Sequence, residues 1–344
     1  MKKTTSSRKQ DHVDLCINKN VQFRNKTTGL EHYSFIHNAL PEINFADIRL
    51  ETRFLDATIQ MPLMISSMTG GYKDAERINA ELAEICQTLH IPMGVGSQRQ
   101  ALEQDTYTSS FSIVRKYAPT IPITANIGAS EIRNLSTITN MRRIIDMIDA
   151  NALTVHINPL QELMQPEGTT NFSGVLNGIS YLVQYADVPI IVKEVGAGIS
   201  RDVAQRLLDC GVRIIDVAGA GGTSWAGVEI LRKEHTDDSA FFWDWGIPTA
   251  DCLEMIYPLK QHCDFTLVSS GGIQSAFDIA VSLALGADIC AAARPLLTIL
   301  KERGQSALET TLLEWQQTIK KIMFLVGAKD ISCFQRTKHL VRNI

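Results

Sequence analysis

The sequence predicts an α/β chain folded as a single (β/α)8 TIM barrel with an N-terminal extension and a long loop after strand 6. Three observations carry this reading. Eight short apolar, often β-branched runs recur along the 344 residues, each opened by proline or a polar turn. Segments of helical periodicity separate them. The runs are apolar on both faces, which suits a closed parallel barrel better than an open sheet, whose edge strands would be more polar.

The elements follow in order. Met1 to Gln10 is polar with no apolar stretch behind it, so no signal peptide or anchor is expected. Arg8 and Lys9, in the run Arg8-Lys9-Gln10-Asp11-His12, precede a short helical pattern. Most such tails are merely solvated, but an ordered one can clamp a diphosphate. Residues 1–60 carry no clear strand series and are expected to cap the barrel floor or reach a neighbouring subunit, and residues 61–344 to form the barrel and a C-terminal helix. The first run is Pro62 to Met68, and in Ala75 to Leu89 the residues Ile78, Leu82, Ile85 and Leu89 share one helical face. Runs at Pro92 to Ser97 and Pro122 to Gly128 lead to the helical segment Met141 to Ile148. Ala152 to Asn158 and Pro189 to Val195 follow, then the helix Val203 to Leu208 and the run Arg213 to Gly219. After that sixth run, Ala220 to Pro248 passes without regular pattern, as a lid or as a packed Ω-loop. Phe265 to Gly271, the helix Ala276 to Leu285 and the run Ala287 to Ala293 complete the series. The most apolar stretch, Ile279 to Leu300, is broken by Gly286, Asp288, Arg294 and Pro295 and reads as helix, turn and strand, not as a membrane span.

Composition agrees with one large soluble unit. Hydrophobic residues make up 45% and charged residues 20%, which is enough for one large core or two small ones. Thirty-three Lys and Arg against thirty-seven Asp and Glu leave a net charge of −4, which argues against a nucleic-acid partner. Any phosphate site must then be local. The seven cysteines form neither a CxxC nor a Cys/His cluster, which fits reduced thiols in a cytoplasmic protein.

In barrels of this kind chemistry lies on the loops after the strands. The exits read Ser66-Ser67-Met68-Thr69-Gly70-Gly71, Gly96-Ser97-Gln98-Arg99, Asn126-Ile127-Gly128 and His156-Ile157-Asn158-Pro159-Leu160-Gln161-Glu162. They continue with Lys193-Glu194, Gly219 to Thr223, Ser269-Ser270-Gly271-Gly272 and Ala291-Ala292-Ala293-Arg294. One polar exit residue is commonly a cap or turn, but eight in register are not. Gly271-Gly272 and Ala292-Ala293, the latter beside a helix start at Arg294-Pro295, leave backbone N–H groups bare for a phosphate. The competing reading is close packing of small side chains. Lys193 sits in an apolar strand and needs a negative partner. Glu194, its neighbour, points to the opposite face, so a negatively charged cofactor ring in the barrel mouth is the expected partner. Glu162 can ligate Mg²⁺ together with substrate phosphate oxygens, or simply cap a helix. His156 is a catalytic candidate through its exit position, against the commoner structural histidine.

These residues resemble the type 2, FMN-dependent isopentenyl-diphosphate isomerases. The resemblance runs over nearly the whole chain. The specific stretches are Arg8 to His12, Gly96 to Arg99, and His156 to Glu162 with Gln165-Pro166-Glu167-Gly168; Gly221 to Trp225 and Asp244 to Thr249 add to them. The resemblance implies interconversion of isopentenyl and dimethylallyl diphosphate with FMN, Mg²⁺ and NADPH as flavin reductant, in a homo-oligomer, tetramer or octamer. It implies flavin contacts for Ser67, Met68, Thr69, Ser97, Asn126, Lys193 and Thr223, and a phosphate cradle of Gly271, Gly272, Ala292 and Ala293. Arg8, Lys9, Ser97, Gln98, Arg99, His156 and Gln161 would bind substrate, Glu162 the metal, and Gln161, His156 and Lys193 would serve catalysis. Family members often carry arginine where Gln274 stands, which removes a charge beside the phosphate cradle. None of these side chains is a strong acid, whereas protonating an alkene needs a proton donor and stabilised positive charge, both of which reduced flavin offers. The rival readings are an FMN-dependent TIM-barrel oxidoreductase of the 2-hydroxy-acid oxidase or dihydroorotate dehydrogenase type, which needs a base and a carboxylate-binding arginine in its loops, and a non-redox sugar-phosphate barrel.

Overall fold

A computed structural model describes residues 5–133, 138–232, 238–335 and 337–343. Residues 233–237 of the sixth connection therefore lie outside the described residues. Helix α1 (Thr5–Asn18) opens the chain, followed by strands β1 (Tyr33–Phe35), β2 (Thr52–Phe54) and β3 (Ala57–Ile59). The barrel strands are β4 (Leu63–Ile65), β5 (Met93–Gly94), β6 (Ile123–Gly128), β7 (Ala152–His156), β8 (Ile190–Lys193), β9 (Ile214–Asp216), β10 (Thr266–Ser270) and β11 (Ile289–Ala292). They form a closed parallel barrel in which β11 pairs with β4. Each of the eight apolar runs contains one of them.

Helices fill the connections. Ala75–Leu89 (α2) follows β4, and Arg99–Glu103 (α3) and Ser109–Tyr117 (α4) follow β5. Ile138–Met147 (α5) follows β6; Pro159–Met164 (α6) and Val175–Tyr185 (α7) follow β7; Arg201–Asp209 (α8) follows β8. After β9 come Trp225–Arg232 (α9) and Thr249–Ile256 (α10), so part of the expected irregular connection is helical. Ala276–Ala284 (α11) follows β10, and Arg294–Arg303 (α12), Gln305–Leu325 (α13) and Ile331–Phe334 (α14) follow β11. The last strand, β12 (Leu340–Arg342), pairs antiparallel with β1. Strand β6 shows why the runs are not amphipathic: all six of its residues are buried, one face toward the barrel interior and the other toward the helices.

Two separate cores result. The larger lies between barrel and helices and includes Leu82, Ile127, Val155 and Leu267. The smaller fills the barrel with Met64, Ala152, Ile191, Ile214, Val268, Ile289 and Ala291, and is completed by Phe54 and Ile59. Those two residues come from the antiparallel β2–β3 hairpin, where Thr52 stands opposite Ile59 and Phe54 opposite Ala57. The extension thus plugs the end of the barrel away from the strand exits. Among the described residues no helix is long and apolar enough to cross a membrane. Burial pushes the Cys252 thiol up to about 12, in keeping with an inert core thiol.

Candidate active site

A cavity of about 490 Å³ opens at the strand exits, a volume that suits a cofactor-sized ligand. Its wall includes Ser67, Met68, Ser97, Asn126, His156, Lys193, Thr223, Gly271, Gly272, Ala292 and Ala293 from the barrel. Arg99, Gln161 and Glu162 join them from α3 and α6, and Arg8, Lys9 and His12 come from α1. The extension therefore lines the cavity of its own chain. Two predicted residues do not line it. Thr69 is buried with its hydroxyl donating to Asn79, and Gln98 is fully buried, its Nε2 donating to the Ile144 carbonyl at 2.8 Å and its Oε1 accepting from the Asn126 N–H at 3.0 Å. Gln98 ties the exits of β5 and β6 together and does not reach into the cavity.

The glycine wall fits an anion. Gly271 and Gly272 adopt positive φ of 97° and 78°, and a Cβ on Gly272 would lie 2.3 Å from Cγ2 of Thr28. A Cβ on Gly222 would lie 2.5 Å from the Gly272 nitrogen. Helix α12 starts beside them: Pro295 brings no N–H, the Leu296 and Leu297 N–H groups donate to the Ala293 carbonyl at 3.0 and 3.2 Å, and the N-cap Ala293 has no side-chain acceptor for the Arg294 N–H, which is thus placed to meet an anion. Gln274 also lines the wall, and its backbone N–H donates to Asp278 at 2.9 Å. These features fit the phosphate of FMN.

Charges converge from distant elements. Lys9 Nζ donates to the Gly70 carbonyl at 2.8 Å and to that of Ser97. Burial first, and Arg8 second, pull its pKa down to about 7. Arg99 bonds Glu103 at 2.8 Å and lies 3.2 Å from Glu131. Arg8 Nη1 is 3.8 Å from Glu167. His156 Nδ1 lies 2.9 Å from Asn126 Oδ1, and burial, then Lys193 and Lys9, lower its pKa to about 4. Glu162 accepts from Asn158 Nδ2 at 3.2 Å and from the Thr169 N–H at 2.6 Å. Glu131 is the other carboxylate of the cavity wall, paired with Arg99, and among the described residues no group of three or more His, Cys, Asp or Glu could hold a metal. That fits Mg²⁺ bound mainly by water and substrate phosphate, as this ion prefers, and not a closed protein cage.

Lys193 corrects one expectation. Its negative partner is part of the protein: Asp216 Oδ2 lies 3.3 Å from Nζ. Glu194 does turn the other way, where its Oε2 accepts the N–H groups of Val195, Gly196 and Ala197, and burial raises its pKa to about 7 against their pull.

Glu229, a fully buried carboxylate on α9, is a site residue that no motif or strand exit in the sequence marks. It lies 2.8 Å from His12 Nε2, accepts from Gln161 Nε2 at 3.4 Å and pairs with Arg232. Burial pushes its carboxyl up, but His12 and Arg232 outweigh this and hold it below the ordinary value. Glu229 thus joins α1, α6 and α9. Trp225, also on α9, lines the cavity and meets the His12 ring edge-on at 5.2 Å.

Comparison with known proteins is consistent with this geometry. A family model for FMN-dependent dehydrogenases matches residues 1–111 and 130–342. Curated relatives named isopentenyl-diphosphate delta-isomerase include one from Chlorobium luteolum, 46% identical over 97% of this chain and 96% of its own. Others come from Chlorobaculum parvum, 48% identical over 94% of each chain, and from Nostoc sp., 43% identical over 98% of this chain and 96% of its own. A solved mandelate oxidase superposes with a TM-score of 0.67 at 16% identity, covering 97% of this chain and 95% of that one. A lactate oxidase from Pediococcus acidilactici superposes with a TM-score of 0.71 at 14% identity, covering 100% and 96%. At such identities the likeness shows the fold alone.

Proposed function

The chain belongs to the FMN-dependent dehydrogenase family and groups there with the isopentenyl-diphosphate delta-isomerases, and we propose that it shifts the double bond between isopentenyl and dimethylallyl diphosphate by proton addition and elimination. The observation that carries the reading is that one cavity holds both a glycine cradle and a cation cluster drawn from α1 and α3. Two phosphate-bearing ligands can be held there at once. The rival oxidase reading shares the barrel, the cradle and the family model, but the oxidases that superpose are only 14% and 16% identical, whereas relatives at 43% to 48% are named as isomerases.

Gly271, Gly272, Ala292 and Ala293 would hold the FMN phosphate through backbone N–H groups. Ser67, Met68, Ser97, Asn126, Lys193 and Thr223 would surround the ring. When bound and reduced, FMN supplies a transferable proton and electron density for the charge that develops on the isoprenoid. Arg8, Lys9, Arg99 and Mg²⁺ on Glu162 would grip the diphosphate. That grip matters because the reacting tail is small and apolar and brings little binding energy of its own. His156 is neutral at pH 7 and so orients substrate without being a strong acid. Gln161, held by Glu229, orients the reacting end. Thr69 and Gln98 would act behind the wall, by fixing the loop that carries Met68 and the part of β6 that carries Asn126. NADPH as reductant, a cytoplasmic site and a homo-oligomeric assembly belong to the same reading.

The test is spectroscopic and then chemical. Purified protein should bind FMN with a yellow chromophore and, with Mg²⁺ and NADPH, convert isopentenyl diphosphate into dimethylallyl diphosphate. A preparation that takes up no FMN would remove the reading, as would oxidation of a 2-hydroxy acid without isomerisation.

A further inference from the structure

Asp216 is a carboxylate on a barrel strand whose three residues, Ile214, Ile215 and Asp216, are all buried. Lys193 and Asp216 stand opposite each other in the β8–β9 register, so both side chains belong to one barrel face. Lys193 Nζ lies 3.3 Å from Asp216 Oδ2 and donates to Ser270 Oγ at 3.3 Å, while the Ser270 hydroxyl donates to Asp216 Oδ1. The Ala218 N–H donates to the same Oδ1 at 3.2 Å. The hydrogen-bond directions in this ring are complementary: the ammonium donates to the hydroxyl and pairs with the carboxylate, and the hydroxyl and a backbone amide donate to the carboxylate. Lys193 and Ser270 line the cavity, whereas Asp216 is not part of its wall.

We propose that Asp216, bridged by Ser270, is a positioning residue that aims the Lys193 ammonium at the flavin. An ammonium in this setting needs a counterion whether or not a cofactor is bound. Asp216 supplies it from behind, so the cation is in place before the ring arrives. The other titratable groups nearby are His156, opposite Lys193 in the β7–β8 register, Glu194 facing away on the following loop, and Lys9 beyond His156. None of them replaces the carboxylate. The inference rests on the flavin reading of the cavity.

The experiment compares wild type with Asp216→Asn, Ser270→Ala, Lys193→Gln and the Asp216→Asn/Lys193→Gln double variant, reading FMN affinity and the midpoint potential of bound FMN. Lys193→Gln removes a cation and should lower the potential. If Asp216 were only a negative charge near the ring, Asp216→Asn would raise it. If Asp216 aims Lys193, Asp216→Asn should lower it, weaken FMN by about tenfold, and add nothing in the double variant. Ser270→Ala should shift the potential in the same direction by less. A raised or unchanged potential, or additive losses in the double variant, would overturn the proposal. Failure of the flavin reading is distinguishable, because wild type would then bind no FMN. Acylation of Lys193, read by peptide mass spectrometry, would still test the pair. It should be about tenfold faster in folded Asp216→Asn than in wild type, and equal rates would count against the ring.

Discussion

His156 Nδ1 lies 2.9 Å from Asn126 Oδ1, and Asn126 Nδ2 donates to the Val95 carbonyl at 3.1 Å. The second bond orients the amide, so the first must carry the proton on Nδ1. The neutral ring then presents a bare Nε2. An imidazole in this state accepts a proton or a hydrogen bond and does not deliver a proton to an alkene, so His156 is not the acid of the proposed reaction.

A pH consequence follows for stability. The folded pKa of His156, about 4, lies below the unfolded value near 6.5, so its contribution is complete above pH 6.5 and is lost as pH falls through 4. Urea unfolding of wild type minus His156→Gln should therefore lose about 2 kcal/mol between those pH values, allowing for water at the cavity wall. A difference that stays flat with pH would contradict the neutral ring.

Lys9 titrates at the other end. Its folded pKa of about 7 means that the free enzyme loses this cation as pH rises through neutrality. On the proposed diphosphate role, kcat/KM should fall by about tenfold above pH 7, and Lys9→Arg, which keeps its charge, should flatten that limb.

The glycine cradle is a steric statement. At Gly272 an added methyl meets Thr28 Cγ2 at 2.3 Å in a backbone conformation that L-residues avoid. Gly272→Ala should weaken FMN by about tenfold or more, measured by flavin fluorescence quenching, because the loop must shift to admit the Cβ.

Trp225 stands where α9 meets α1, against the His12 ring. We expect Trp225→Ala to lower turnover by about tenfold while FMN content is unchanged, since water then reaches the isoprenoid. Unaltered turnover would end the water-excluding role for this segment.

The barrel floor should behave in the opposite way. Phe54 fills the end remote from the cavity, so Phe54→Ala should cost about 3–5 kcal/mol in unfolding free energy and leave FMN affinity unchanged.

Much of the barrel was legible because its signal is local. Apolar runs opened by Pro62, Pro92, Pro122 and Pro189 each contain a strand, and the helix Ala75–Leu89 has the predicted bounds. The extension was less legible: β2 and β3 are three residues each, and their function depends on Phe54 and Ile59 joining residues from strands spread along the chain, as far off as Ile289 and Ala291. The same holds in the site. The exits announced Lys193, His156 and Glu162, but Glu229 bonds His12 across 217 residues, and Asp216 looks like a strand-end turn residue until β8 and β9 are set in register. Alternation along a strand correctly excluded Glu194 as the partner of Lys193, yet it says nothing of the next strand. Gln98 and Thr69 sit at strand exits like their neighbours, and only three-dimensional packing turns them away from the cavity.

The most direct measurement is the ratio of dimethylallyl diphosphate formed to NADPH consumed, with FMN, Mg²⁺ and excess isopentenyl diphosphate under anaerobic conditions. Proton addition and elimination on a flavin that is reduced once predicts many product molecules for each NADPH. One NADPH for every product molecule, or NADPH loss with no dimethylallyl diphosphate, would contradict the account.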